Sequence, residues 1–269
     1  MKFGYCANML STETNAIGYE WIPMLKRIGF DYVELPLAQM MTFGEKAFQT
    51  HVVAELNACG LPCLCCNNFF PASYRLTGDE ADHESALAYA NAALSRAASL
   101  GVRNVVFGSS GARNMPYGYA KERALDQLAE LLRSLGDIAQ NYGITLVLEP
   151  LNPSESNLLN WLSECRALAR KVAHPAVELL VDSFHLRLSG EPLFHVLDAG
   201  EHLRHIHLAR TLGRGLPCIG DGEPWDEWFS LLRQGGYEGA ISIEAYAPAM
   251  EREKQIADAL HYLHSLARG

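Results

Sequence analysis

The sequence predicts a closed (β/α)8 barrel, one domain over residues 1–269, on three observations. Short apolar runs recur with longer amphipathic stretches between them, the chain is close to the ~250 residues such a barrel uses, and no low-complexity linker divides it. An open doubly wound sheet is the alternative, but no glycine-rich GxGxxG turn follows the first apolar run.

The runs that read as strands are "KFGYCA" (2–7), "DYVELP" (31–36), "LPCLCC" (61–66), "RNVVFG" (103–108), "ITLVLE" (144–149), "VELLVD" (177–182), "LRHIHL" (203–208) and "GAISIE" (239–244). Between them the period changes. Leu125, Leu128, Leu131, Leu132, Leu135 and Ile138 fall at three-and-four spacing, which lines one face of a helix. Similar stripes predict helices over roughly 18–28, 45–58, 80–100, 157–172, 191–199, 225–235 and 250–267. Gly29, Gly60, Gly101 and Gly143 stand where several of these helices should stop, suited to a left-handed cap before the next strand.

Composition narrows the function. With 49% hydrophobic residues the chain can bury a large core. A formal charge of −9 argues against a general attraction to nucleic acid or to anionic membranes. The N-terminus "MKFGYCANML" lacks a secretory pattern, and no apolar run approaches the roughly 20 residues of a membrane span, so a cytoplasmic protein is expected. Four of the seven cysteines crowd into "CGLPCLCC" (Cys59, Cys63, Cys65, Cys66). They read as reduced core thiols; a metal cluster is the alternative, but no second cysteine pair at zinc-ligand spacing follows.

In a parallel barrel the active face is built from the C-terminal strand ends. Those positions hold Glu149, Asp182, His207 and Glu244 on four successive predicted strands. Singly, each reads as a solvated loop residue, a cap or, for His205 and His207 on a shared strand face, a hydrogen-bonded inner residue. Together they read differently. Three carboxylates gathered at one rim raise one another's pKa unless a cation lies between them. Three oxygen ligands and one imidazole suit a single divalent ion, Mn2+ first, with Mg2+, Co2+ or Zn2+ as alternatives. Such an ion would leave positions open for a substrate hydroxyl and carbonyl.

The segments "LVLEPLNPSESN", "VDSFH" and "HIHLA" through "GRGLPCIGDGEPWDEWFSLLRQGGYEGAISIEAY" resemble the sugar isomerase and epimerase superfamily of ketose 3-epimerases, hydroxypyruvate isomerase, xylose isomerase-like proteins and, more distantly, an apurinic endonuclease. The resemblance is best over 144–246. It implies that Glu149, Asp182, His207 and Glu244 bind the metal and that Glu149 and Glu244 also act as acid and base. It further implies that Glu155, His185 and Arg214 hold substrate oxygens. Arg214 follows "HIH" at the hydroxypyruvate-isomerase spacing, whereas that pattern has glutamine at the position of His207. Asn67, Phe69, Phe70 and Ser109, after the third and fourth strands, are further candidates for the pocket wall.

What the resemblance implies is loss of a proton beside a carbonyl in a small sugar or keto-sugar. Two glutamates on opposite faces would invert a carbon, so ketose 3-epimerisation is the first reading. The alternatives are hydroxypyruvate-type aldose–ketose isomerisation, and β-elimination from an oxidised (3-oxo) sugar or glycoside. More distant are a multi-metal nuclease, which the acidic balance disfavours, and a non-catalytic sugar-binding barrel. The resemblance also implies a dimer or tetramer.

Overall fold

The computed structural model describes residues 1–269. Eight strands pair in parallel and in sequence order into a closed barrel: β1 Lys2–Cys6, β2 Tyr32–Pro36, β3 Cys63–Asn67, β4 Asn104–Phe107, β5 Thr145–Leu148, β6 Val177–Asp182, β7 Leu203–Leu208 and β8 Ala240–Ile243, which pairs back onto β1. β2 and β6 are buried at every position, as strands covered inside and outside must be.

The outer ring comprises α1 Ile22–Ile28, α2 Ala54–Cys59, α3 His83–Ser99, α4 Lys121–Asn141, α5 Leu162–Val172, α6 Ser183–Leu188, α7 Trp225–Gln234 and α8 Arg252–Arg268. The four glycines expected to close helices all have positive φ. On α4, Leu128, Leu131, Leu132 and Leu135 are buried as their spacing predicts, while Leu125 and Ile138 pack partly buried at its edge. The expected spans 18–28 and 45–58 are helical in pieces, a 3-10 turn Tyr19–Trp21 leading into α1, and Glu45–Ala47 with a π-helical turn Phe48–Val53 leading into α2. Two further helices differ from expectation. The helix expected over 157–172 begins only at Leu162, because the Glu164 carboxylate accepts from Asn160 N and Trp161 N at 2.7 and 3.3 Å and fixes the start there. Where 191–199 was expected to be the sixth helix, α6 instead starts directly at the end of β6. Asp182 caps it by accepting from Phe184 N at 2.7 Å, and a 3-10 segment Leu193–His202 completes the ring.

Alternation along the strands separates two environments. Phe3, Val33, Val105, Leu146, Leu179, Ile206 and Ile241 join the main core between strands and helices. The intervening residues meet inside the barrel, and its two halves differ. Val106, Val147 and Leu180 form an apolar cluster on one side. On the other, Tyr32, Glu34, Cys65, His205 and Ser242 form a wholly buried polar group. All seven cysteines are free thiols, and those of "CLCC" are buried, as expected of core thiols. No helix is long and apolar enough to cross a membrane.

Candidate active site

A cavity of about 280 Å³ opens at the C-terminal strand ends, with Glu149, Glu155, His185, Arg214 and Glu244 on its wall. At its floor the four predicted ligands converge. One donor atom from each of Glu149, Asp182, His207 and Glu244 lies within 4.8 Å of every other, and all four residues are buried. Each sits within one residue of the end of its strand, where an inward-facing position of the barrel reaches the active face.

His207 Nδ1 faces the glutamates, 3.3 Å from Glu149 Oε1 and 3.0 Å from Glu244 Oε2. Its other nitrogen, Nε2, donates to the buried Glu34 Oε1 at 3.0 Å. The ring therefore presents Nδ1 to the cluster. Arg214 Nη2 bridges Glu244 Oε2 at 2.6 Å and Asp182 Oδ2 at 3.2 Å, and its guanidinium lies over the Phe184 ring. Asn67 does not reach the cavity wall. It lies beneath and donates to Glu244 Oε1 at 3.2 Å and to Asn8 Oδ1 at 3.1 Å.

The electrostatics follow from crowding. Burial raises the Asp182 carboxyl to about 8 even though Arg214 pulls it down, since Glu244 and Glu149 push the same way as burial. Burial would raise Glu244 too, yet Arg214 and His207 outweigh it and hold that carboxylate well below its usual range. One arginine cannot neutralise three carboxylates. His185 is lowered to about 4, first by burial and then by Arg214. Its Nδ1 receives an amide N–H from Asn152 Nδ2 at 2.9 Å, and the same amide donates to Glu155 Oε1 at 3.0 Å. The loop after β5 thus ties Glu155 and His185 together.

Ser109 is on the wall, but its Oγ accepts from Phe70 N at 2.9 Å and braces the loop after β3. Phe70 lines the cavity; Phe69 is wholly buried beneath it. Two contributors went unmarked in the sequence. Gly108 leaves the space the Glu149 carboxylate fills, since a Cβ there would stand 2.2 Å from Glu149 Oε2. Arg113, also fully buried, donates to the carbonyls of Phe107 (3.0 Å), Glu149 (2.8 Å) and Leu159 (3.4 Å), locking the ends of β4 and β5. A glycine directly after an apolar strand was the available signal for the first; a lone arginine in a polar loop offered none for the second.

This barrel with its floor of acidic and imidazole donors defines a class, and the chain belongs to the xylose isomerase-like TIM barrel family, which it matches over residues 22–266. Among its relatives, a probable ketose 3-epimerase of Synechocystis is 26% identical over 82% of this chain and 76% of its own. The ketose 3-epimerase of Arthrobacter globiformis is 25% identical over 93% of this chain and 85% of its own. The D-psicose 3-epimerase structure from Clostridium cellulolyticum, solved with D-tagatose, superposes with a TM-score of 0.88 over 99% of both chains at 21% identity. These relatives mark the chain as an enzyme of the isomerase class.

Proposed function

We propose that this chain is a divalent-metal-dependent ketose 3-epimerase. The observation that carries the reading is the convergence of Glu149, Asp182, His207 and Glu244 on one point at the floor of a cavity sized for a small sugar. The donor set fits a cation. Three carboxylates and an imidazole whose Nδ1 is turned toward them offer four ligands, and the Asp182 carboxyl is raised by burial first and by the neighbouring Glu244 and Glu149 as well. A divalent ion held there, Mn2+ first and Mg2+, Co2+ or Zn2+ otherwise, would supply Lewis-acid stabilisation of negative charge on the substrate oxygen.

The remaining chemistry belongs to side chains. Glu149 and Glu244 come from strands separated by two others, so a flat substrate between them meets one carboxylate on each face. One removes the proton from the carbon beside the carbonyl and the other returns a proton to the opposite face, which inverts that carbon. Positioned acid–base groups of this kind contribute about 10²–10⁴-fold. Glu149 has no side-chain neighbour at hydrogen-bond distance other than His207, whereas Glu244 is held by Arg214 and Asn67 as well. Arg214 stands over the floor, where a substrate hydroxyl would meet its guanidinium. Glu155 and His185, linked through Asn152, supply hydrogen-bonding partners for hydroxyls further along the chain of the sugar.

The test is incubation of the Mn2+-loaded enzyme in deuterated water with D-fructose, D-psicose and, separately, a 3-oxo-glycoside. Inversion at C3 with one deuterium incorporated there is expected. Aldose formation, or an unsaturated elimination product from 3-oxo-glycosides in place of epimer, would overturn it.

A further inference from the structure

Glu34 lies on β2, outside the four converging donors, and is wholly buried inside the barrel. Both its oxygens are used. Oε1 accepts from His207 Nε2 at 3.0 Å; Oε2 accepts from His205 Nε2 at 2.8 Å and from Ser242 Oγ at 2.6 Å. Because the Ser242 hydroxyl spends its one proton on Glu34, the Tyr32 hydroxyl, 2.8 Å away, is the donor to Ser242. Room for the Tyr32 ring comes from Gly4, where a Cβ would stand 2.3 Å from Tyr32 Cε2. Residues of β1, β2, β7 and β8 thus build a closed relay that ends on the back of His207.

A buried carboxylate is costly unless it is paired and fully hydrogen-bonded. The fold does not demand one here, since Val106, Val147 and Leu180 fill the opposite half of the interior with apolar side chains. The acid stands where it meets the nitrogen of His207 that faces away from the other three donors.

We propose that Glu34 is a positioning residue that fixes the His207 ring with a proton committed to Nε2, so that Nδ1 is the nitrogen aimed at the cation and left to bind it. This rests on the reading that the four donors hold a divalent ion. Ser242, His205 and Tyr32 act one step further back by keeping the Glu34 carboxylate ionised and immobile. His207 without that anchor could carry its proton on Nδ1, which closes the ligand position, or could turn away.

Calorimetric titration of metal-free protein with MnCl2 tests this apart from turnover, with wild type, Glu34→Gln and Ser242→Ala compared. Wild type is expected to bind Mn2+ and E34Q to bind it about 10–100-fold more weakly, the usual loss when the partner behind a ligating histidine is removed. S242A should lose affinity in the same direction by a smaller factor. Long-range proton–nitrogen spectra of histidine-labelled, Mg2+-loaded protein supply a signature that mere loosening would not. The wild-type His207 Nε2 proton should resonate far downfield, and move upfield in E34Q while the other histidine signals outside the barrel interior stay put. Wild-type Mn2+ affinity in E34Q, or an unmoved Nε2 proton, would overturn the role of Glu34. Should E34Q not fold, S242A decides by the same two readouts. Absence of Mn2+ binding to wild type would instead overturn the underlying metal reading.

Discussion

Replacing Gly108 with alanine should separate function from stability by a single methyl group. Gly108 follows β4, and its Cβ would meet Glu149 Oε2 at 2.2 Å; the next atoms, Glu149 Cδ at 3.5 Å and Leu151 Cδ2 at 3.9 Å, are at ordinary contact. Gly108 does not have a positive φ, so alanine suits the backbone. Relief comes from the carboxylate, which must withdraw by about 1 Å to restore a normal non-bonded distance. In the folded state that costs about 0.5–1.5 kcal/mol of rotamer strain. Loss of glycine freedom in the unfolded chain offsets it by roughly 0.4–1 kcal/mol. The midpoint of thermal unfolding should therefore move by no more than about 2–4 °C. A 1 Å misplacement of a reacting group, by contrast, costs about 10²-fold in rate. The assay is kcat for C3 epimerisation of a ketohexose with saturating Mn2+, alongside a melting curve. Activity within about threefold of wild type, where roughly 10²-fold is expected, would refute the placement of Glu149 at the reacting carbon.

Glu149→Gln and Glu244→Gln should each lower kcat by about 10²-fold or more with the fold retained, read by turnover and circular dichroism. Arg113→Met leaves the Glu149 carbonyl without its donor, whereas those of Phe107 and Leu159 still accept from Glu149 N and Leu151 N, so one buried group goes unpaired and the expected cost is about 1–3 kcal/mol in urea unfolding. Loading with Mn2+ near pH 7 should release protons, because Asp182, raised to about 8 chiefly by burial, and His207, held well above the usual imidazole value by Glu34 and Glu244 despite burial, must each lose one to bind. Since both shifts are upward, the Asp182 share of the release should fade as pH rises past about 8, with the His207 share lost as pH rises through its own raised value. Calorimetry in buffers of different ionisation enthalpy measures it. Chelation should abolish turnover, and added Mn2+ should restore it.

The residues that could be read from sequence are those whose position follows from one strand alone. A side-chain period of two, together with the rule that parallel strands open at their C-terminal ends, suffices to put Glu149, Asp182, His207 and Glu244 at one rim, and the closed barrel brings them within reach of one another. His205 was legible as an inner residue for the same reason. Glu34 sits in "DYVELP" on equal terms with any polar residue of a half-buried strand. Only the closure that makes β2 face β7 across the interior turns it into the partner of both histidines.

Gly108 and Arg113 were hidden for a related reason: what matters about them is another strand's atom, the Glu149 carboxylate in one case and the Glu149 carbonyl in the other. The late start of α5 has a local origin instead. Apolar spacing continues back to Leu158, but the Asn160 side chain binds the carbonyls of Leu151 and Ser156 at 2.7 Å and holds the preceding turn as a loop. That loop carries Asn152 and Glu155 to His185, so the helix gives up its first turn where the cavity wall needs side chains. The periodic signal was weakest where the chain serves the site, because hydrogen bonds from asparagine and glutamate to the backbone override apolar spacing there.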